Sequence, residues 1–259
     1  MLGAIAGDII GSVYEATGFK SKDFPLFEPG SRFTDDSVLT VAVARALLET
    51  LDYRAAILEL GRRYPDAGYS GQFRAWLMSA APRPYQSYGN GAAMRVSPVG
   101  FALDSEEEVL REARKTAEIS HDHPEGIKGA QATALAVFLA RTGASKATIK
   151  AELATRFEYD LQPTLDQIRP AYGMDLSCQG TVPQAVICFL ESDSFEDAVR
   201  NAVSLGGDSD TLACIAGTIA HAFYGRVPEY IVAGVKQALD AELWSVTERF
   251  CARYAIAGC

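Results

Sequence analysis

The chain has 259 residues, of which 48% are hydrophobic and 22% charged, a composition typical of globular proteins and not of disordered ones. Its 33 acidic and 24 basic side chains give a net charge of −9, which argues against a general nucleic-acid-binding protein because such a surface repels phosphate backbones. The most apolar run, 212–223, is far too short to span a bilayer, so we expect no membrane association.

Helical periodicity runs along most of the chain, and the alternation typical of strands is scarce. The predicted helices span 37–51, 54–64, a segment opened by the capping box at 105–108, 125–141, a segment beginning at 194–197, 211–224, 231–239 and 242–256. No Pro/Gly/Ser-rich linker or internal repeat divides them. The sequence therefore predicts an all-α protein, a compact bundle of more than ten helices, with a single domain over residues 1–259.

Motifs for several common chemistries are absent. The chain has no G-x-x-x-x-G-K-[ST], G-x-G-x-x-G or G-x-S-x-G, so phosphate-loop, dinucleotide and hydrolase-elbow functions lack their starting residues. Five cysteines without a C-x-x-C pair, together with only three histidines, argue against a zinc site. We expect the cysteines to be free thiols in a reducing cytoplasm. The N-terminal segment carries Asp8 and no basic region, unlike a signal peptide.

Two acidic clusters stand directly before predicted helices, at 34–37 (TDDS) and 206–211 (GGDSDT). Either cluster alone would be a helix cap, but capping leaves the second carboxylate in each unexplained. If both helix starts converge, four negative charges meet, and two divalent hard cations would neutralise them. The four carboxylates are those of Asp35, Asp36, Asp208 and Asp210. Oxygen-only coordination, with the Thr34 and Thr211 hydroxyls as neutral ligands, favours Mg²⁺ or Mn²⁺.

Other polar residues stand where they can contribute to such a site. Glycines at a predicted helix start within 89–95 (GNGAAMR) expose backbone N–H groups and predict an anion cradle. Arg95 either binds phosphate or pairs with an acidic residue inside the bundle. His121 follows an amphipathic helix, and Glu15 can face the site. Asp8 is interpreted as a buried, hydrogen-bonded structural carboxylate.

Five motifs together resemble the ADP-ribosylglycohydrolases, which include the dinitrogenase-reductase-activating glycohydrolases. The motifs, in family order, are GAIAGDIIGSVYE at 3–15, TDDS at 34–37, GNGAAMR at 89–95, SH at 120–121 and GGDSDT at 206–211. The resemblance implies an all-α fold with a binuclear Mg²⁺ or Mn²⁺ centre in a central cleft. It also implies hydrolysis of an N- or O-glycosidic bond at C1″ of ADP-ribose. The expected partner is an ADP-ribosylated protein or an ADP-ribose-containing small molecule, and we expect a monomer.

The resemblance assigns roles to residues by position. The implied metal ligands are Thr34, Asp35, Asp36, Asp208, Asp210 and Thr211. Glu15 matches the acidic residue on a mobile loop that gates the metals. The implied phosphate- and ribose-binding residues are Ser87, Tyr88, Gly89, Asn90, Gly91 and His121. Gly173 and Met174 match a segment that lines the adenosine end.

In the implied chemistry, the metals hold the 2″ and 3″ hydroxyls of the ribose and orient or activate a water. Glu15 or Asp36 assists proton transfer as the glycosidic bond opens, and the sequence does not distinguish between them. The leaving group is not specified by the sequence either. We expect the segment 19–32 to contribute to substrate discrimination.

Two other functions remain open at the level of sequence. A phosphatase of the haloacid-dehalogenase type would use Asp208 as nucleophile, but it needs a buried strand before the Asp pair, and 197–207 predicts a helix followed by glycines. A non-catalytic ADP-ribose-binding or structural relative would keep the fold without the reaction. The complete set of six implied ligands argues against that alternative.

Overall fold

The structure, a computed structural model, describes residues 1–15 and 17–258. These ranges contain fifteen helices and no strand beyond one isolated bridge, which confirms the predicted all-α class. The helices are α1 (Leu2–Gly11), α2 (Asp35–Glu49), α3 (Tyr53–Arg63), α4 (Gly71–Met78), α5 (Gly91–Met94), α6 (Ser97–Ala102), α7 (Glu106–Glu118), α8 (Pro124–Arg141), α9 (Lys146–Phe157), α10 (Leu165–Ile168), α11 (Cys178–Leu190), α12 (Phe195–Val203), α13 (Ser209–Tyr224), α14 (Glu229–Ala238) and α15 (Ala241–Arg253).

All the predicted helices are present, with ends that differ by a few residues. The predicted N-caps are confirmed, since Ser105 accepts a hydrogen bond from Glu108 N–H and Ser194 from Asp197 N–H. The short helices α4, α6 and α10 were not predicted, because helices of eight residues or fewer depend on packing more than on local pattern. Helices α9 and α11 were not predicted either, and the interior of α11 contains Pro183, which usually ends a helix.

The core is built around α13, which packs against α1, α8, α11 and α12. Helix α1 is buried along its whole length and runs antiparallel to α13 at very close range. A Cβ added to Gly7 would lie 2.0 Å from the carbonyl oxygen of Ala213, and one added to Gly11 would lie 2.5 Å from that of Ser209. This glycine face therefore brings the end of α1 against the beginning of α13.

Gly7→Ala is expected to lower the free energy of unfolding by about 1–3 kcal/mol, because the added methyl group meets backbone and forces the two helices apart. Gly71→Ala is the matched control, since nothing lies within 4 Å of its added Cβ. Denaturant unfolding of both variants measures the difference. An unchanged stability for Gly7→Ala would contradict the close packing.

Within the described residues, no helix is long and apolar enough to cross a membrane. The free-thiol prediction is confirmed for Cys178, Cys188 and Cys214, which are buried. It is wrong for Cys251, which is disulfide-bonded. An odd number of cysteines and the absence of a C-x-x-C pair do not prevent a single disulfide bond. Cys259 lies outside the described residues.

Candidate active site

A cavity of about 630 Å³ opens where α1 ends and where α2 and α13 begin. Its volume lies in the range of roughly 300–1,000 Å³ that small-molecule sites occupy. The beginnings of α2 and α13 supply a wall of carboxylates. The loop 85–91, together with Arg95 and His121, supplies a second wall of neutral and basic residues. The predicted convergence of the two acidic clusters is therefore present.

All but one of the residues proposed from sequence line this cavity. The lining ones are Glu15, Thr34, Asp35, Asp36, Ser87, Tyr88, Gly89, Asn90, Gly91, His121, Met174, Asp208, Asp210 and Thr211. Gly173 is not among the lining residues. Its carbonyl oxygen instead lies 2.4 Å from the position of a Cβ added to Gly207, so its backbone supports the turn before α13.

Asp8 ties the end of α1 to the start of α2. Its carboxylate accepts hydrogen bonds from Thr34 N–H at 2.9 Å, from the Thr34 hydroxyl at 2.6 Å, from Ser37 N–H at 3.0 Å and from the Ser37 hydroxyl. The residue is fully buried, as predicted for a structural carboxylate. It also lies beside Asp36 and Asp210, with one oxygen of each within 4.8 Å of the others. Sequence analysis did not place this additional carboxylate at the centre.

Buried carboxylates that form no ion pair within the described residues mark the centre of the acidic wall. Asp36 Oδ2 accepts a hydrogen bond from the Thr211 hydroxyl at 3.2 Å, whereas its buried Oδ1 has no hydrogen-bond partner among the described residues. Asp208 and Asp210 form a second group with Glu15, again with oxygens within 4.8 Å of one another. None of the ion pairs in the described part of the chain involves any of these carboxylates.

The electrostatics of this wall are unfavourable without cations. Burial raises the pKa of Asp36 and of Asp210 well above the ordinary value, and the neighbouring carboxylates raise both further. Burial, followed by the charge of Asp8, raises the pKa of Asp35 to about 8. The pKa of Asp208 is raised as well, chiefly by burial. Divalent cations would offset both the burial and the mutual repulsion, so the donor set fits hard metal ions.

Thr34 and Thr211 are hydrogen-bonded to the clustered carboxylates, whereas Asp35 lies beside them. Thr34 is the N-cap of α2, and its hydroxyl accepts from Asp36 N–H while donating to Asp8. The capping interpretation is therefore correct for Thr34, and its second lone pair is left for a cation. Thr211 donates to Asp36. Asp35 lines the cavity but belongs to neither group of three carboxylates.

Glu15 follows α1 and is exposed at the cavity. Burial of its carboxyl group raises its pKa, and the charge of Asp208 raises it further, while Arg32 acts in the opposite direction. No hydrogen bond within the described ranges holds its carboxylate. Glu15 therefore offers a free proton acceptor beside Asp208 and Asp210.

The predicted cradle of backbone N–H groups is wrong for two of its members. Gly89 N–H donates to the Ser87 hydroxyl, and Asn90 N–H donates to the carbonyl of Leu176. The Asn90 bond joins the loop to the segment before α11, and the two bonds together leave neither amide for an anion. The Asn90 side chain instead donates to Asp208 Oδ2 at 2.5 Å and orients that carboxylate.

Arg95 is fully buried and lines the cavity. It forms no ion pair with a carboxylate in the described ranges, so the alternative of an acidic partner inside the bundle is wrong. Its guanidinium lies over the Phe73 ring, 5.8 Å from the centroid. Its Nη2 donates to the carbonyl oxygen of Thr116 and to the Ser120 hydroxyl, so neutral acceptors hold it in the bundle. Binding of a phosphate by Arg95 stays a prediction.

Several residues of the cavity wall were not predicted from the sequence. The missed lining residues include Gln72, Phe73, Tyr85, Gln86, Asp175, Leu176 and Ser177. For those within 69–88, the only signal was the density of aromatic residues, which does not indicate which rings face a cavity. Of the segment 19–32, only Arg32 lines the cavity. Lys20 holds that segment against the core by donating to the carbonyls of Tyr172, at 2.6 Å, and Leu205.

The chain belongs to the ADP-ribosylglycohydrolase family, because the sequence model of that family matches residues 1–257. ADP-ribosylhydrolase ARH3 of Homo sapiens is 29% identical, over 88% of this chain and 86% of the relative. The ADP-ribosyl-[dinitrogen reductase] glycohydrolase of Rhodospirillum rubrum is 29% identical over 76% of this chain and 70% of its own length.

A solved structure described as an ADP-ribosylglycohydrolase-related protein complex superimposes with a TM-score of 0.75 at 26% identity. It covers 99% of this chain, and this chain covers 95% of it. The fold implied by the motifs is therefore confirmed. The phosphatase alternative is wrong, since α12 and a glycine turn precede Asp208, where that enzyme class requires a buried strand.

Proposed function

We propose that this chain is a Mg²⁺- or Mn²⁺-dependent ADP-ribosyl hydrolase that cleaves the C1″ glycosidic bond between ADP-ribose and a protein side chain or small acceptor. One observation carries the proposal: a single cavity joins a buried carboxylate group to a wall that bears the cationic Arg95. Among the described residues, Asp36 Oδ1 on the first side and Arg95 Nε and Nη1 on the second have no hydrogen-bond partner. The first suits cations and the second suits an anion. A sugar linked to a diphosphate needs both.

The ligands proposed for the cations are Thr34, Asp35, Asp36, Asp208, Asp210 and Thr211. When bound, the cations would supply positive charge that polarises the ribose hydroxyls and a water. Asn90 holds Asp208 in orientation through its side-chain amide. The family name and the names of both relatives support the same reaction class.

Glu15 is the proposed general base, because its carboxylate is unbonded and accessible whereas Asp36 is buried. In the proposed reaction, a Glu15 carboxylate oxygen accepts a proton from the attacking water, and the water oxygen bonds to C1″. The electron pair of the glycosidic bond leaves with the acceptor group, which takes up the proton that Glu15 accepted, and Glu15 returns to its carboxylate form.

Defined substrates test this function. The panel comprises arginine-linked, serine-linked and acetyl-linked ADP-ribose and poly(ADP-ribose), each incubated with Mg²⁺ or Mn²⁺, and free ADP-ribose is measured. We expect release from at least one substrate, and the same rate from the control variant Asp104→Asn, whose carboxylate is 94% exposed. ADP-ribose binding without release from any substrate would instead support the non-catalytic alternative.

Gly91→Val is expected to weaken ADP-ribose binding at least about tenfold while leaving the metal content unchanged. A Cβ at this position would lie 3.1 Å from His121 Nε2 and would displace the imidazole from the cavity wall. Calorimetry with ADP-ribose and metal analysis check the two halves. Gly71→Ala is the control glycine, and wild-type affinity in Gly91→Val would contradict the placement of His121.

A further inference from the structure

The buried charge of Arg95 requires an explanation beyond packing. Its Nη2 donates to the carbonyl oxygen of Thr116 at 2.7 Å and to the Ser120 hydroxyl at 3.0 Å. Its Nε and Nη1 have no hydrogen-bond partner in the part of the chain that the structure describes. Burial of a charge without an ion pair is costly. The arrangement therefore points to a task for this side chain at the cavity.

The Ser120 hydroxyl lies between Arg95 and His121. Its oxygen is 3.0 Å from Arg95 Nη2 and 2.8 Å from His121 Nδ1. Burial lowers the pKa of Arg95 to about 10, so the guanidinium stays protonated at neutral pH and can only donate. The serine oxygen must therefore accept from Arg95, and its single proton is left for His121 Nδ1.

The opposite arrangement, with a proton on His121 Nδ1, is unfavourable. Both neighbours would then donate to the serine oxygen, and the proton of this buried hydroxyl would have no acceptor among the described residues. The free-energy cost of leaving the buried serine proton without an acceptor is larger than the gain from a hydrogen bond between His121 Nδ1–H and the serine oxygen. Burial also lowers the pKa of His121 well below its ordinary value, and the charge of Arg95 lowers it further.

The remaining ring nitrogen of His121 faces the cavity loop. Nε2 lies 3.1 Å from the position of a Cβ on Gly91 and 3.6 Å from one on Gly89, and no described residue accepts a hydrogen bond from it. The rings of Phe73 and Tyr85 flank the imidazole at centroid distances of 6.1 and 5.9 Å. The imidazole ring is therefore held in place, and its Nε2–H is free to donate a hydrogen bond.

We propose that Arg95 and Ser120 are positioning residues that hold His121 as a neutral imidazole with its proton on Nε2, directed as a hydrogen-bond donor at an anionic oxygen of the ligand. This second half rests on the proposed function, in which the oxygen belongs to the diphosphate of ADP-ribose. A donor fixed in advance needs no reorganisation when the anion arrives. The second ring nitrogen sets the tautomer, as it does for many functional histidines.

Ser120→Ala tests the proposal with a small change that keeps Arg95. The matched control is Ser97→Ala, which removes another fully buried hydroxyl, one without any hydrogen-bond partner. Nitrogen-15 NMR of labelled histidine reads the tautomer in the ligand-free protein, and the spectrum of His121→Asn assigns the signal among the three histidines. Calorimetry then measures ADP-ribose affinity in the same proteins.

We expect the wild type and Ser97→Ala to show His121 protonated on Nε2 alone, and Ser120→Ala to lose this single tautomer and at least about tenfold in ADP-ribose affinity. A wild-type His121 protonated on Nδ1, or an unchanged tautomer in Ser120→Ala, would overturn the proposal. Loss of the tautomer with unchanged affinity would overturn its ligand half. If NMR shows the expected tautomers but calorimetry shows that the wild type binds no ADP-ribose, the positioning role is supported and the proposed function is contradicted.

Discussion

Asp210→Asn and Asp208→Ala are each expected to reduce turnover at least about a hundredfold and to lower the metal content below two ions per chain. Loss of a group that merely orients a metal ligand costs roughly 10–100-fold in affinity or activity, and loss of a ligand should cost more. The oxygens of both carboxylates lie within 4.8 Å of one from Glu15, so each is expected to contribute charge to the same centre. Metal analysis of the purified variants, alongside Asp104→Asn, measures the loss. Two bound metals in either variant would remove that residue from the ligand set.

The same variants are expected to be more stable than the wild type when metals are chelated. The folded protein raises the pKa values of Asp36 and Asp210 above the ordinary value of 3.8, so these groups favour folding below that pH and oppose it as pH rises. For Asp35 the opposition is fully developed above about pH 8. The melting temperature of the chelated wild type should therefore fall as pH rises from 4 to 8, and that of Asp210→Asn should fall less.

Glu15→Gln is expected to slow turnover by roughly a hundredfold or more, the usual contribution of a positioned general base. Gln keeps the size of the side chain but cannot accept the proton of the attacking water. Both metals should remain bound, because the six proposed ligands are intact. Single-turnover release of ADP-ribose measures the effect, with Glu107→Gln, an exposed glutamate away from the cavity, as the control.

An unaltered single-turnover rate in Glu15→Gln would exclude Glu15 as the base and leave Asp36 as the candidate. A loss of metal from this variant would also contradict the assignment, because Glu15 would then be a ligand. The two outcomes are distinguishable, since metal content and rate are measured on the same preparation.

Local sequence patterns predicted the parts of the fold and site that depend on local chemistry. The cap of α2 at Thr34 and the two acidic helix starts needed only the neighbouring residues. The resemblance placed Glu15 and His121 at the same cavity, where the structure also has them. The small residues of α1 indicated that some segment packs closely against this helix. They did not indicate α13, because the facing backbone at Ala213 lies more than two hundred positions away.

Contacts between distant segments account for what the sequence did not predict. The backbone N–H of Asn90 donates to the carbonyl oxygen of Leu176, 86 positions away, and is therefore not available to an anion. No local sequence pattern indicates this hydrogen bond. The backbone of Gly173 packs against Gly207, and Gly173 is not among the residues that line the cavity. Arg95 finds hydroxyl and carbonyl acceptors on a helix end where an acidic partner was one of the alternatives.

The most direct test of the account is a titration of the metal-depleted protein with Mn²⁺ or Mg²⁺, in which release of free ADP-ribose from an ADP-ribosylated substrate is followed after each addition. The proposed function predicts no release before metal is added, and a rate that rises with metal and reaches its plateau at two ions per chain. Full activity in the metal-depleted protein, or saturation with metal and ADP-ribose without any release, would contradict it.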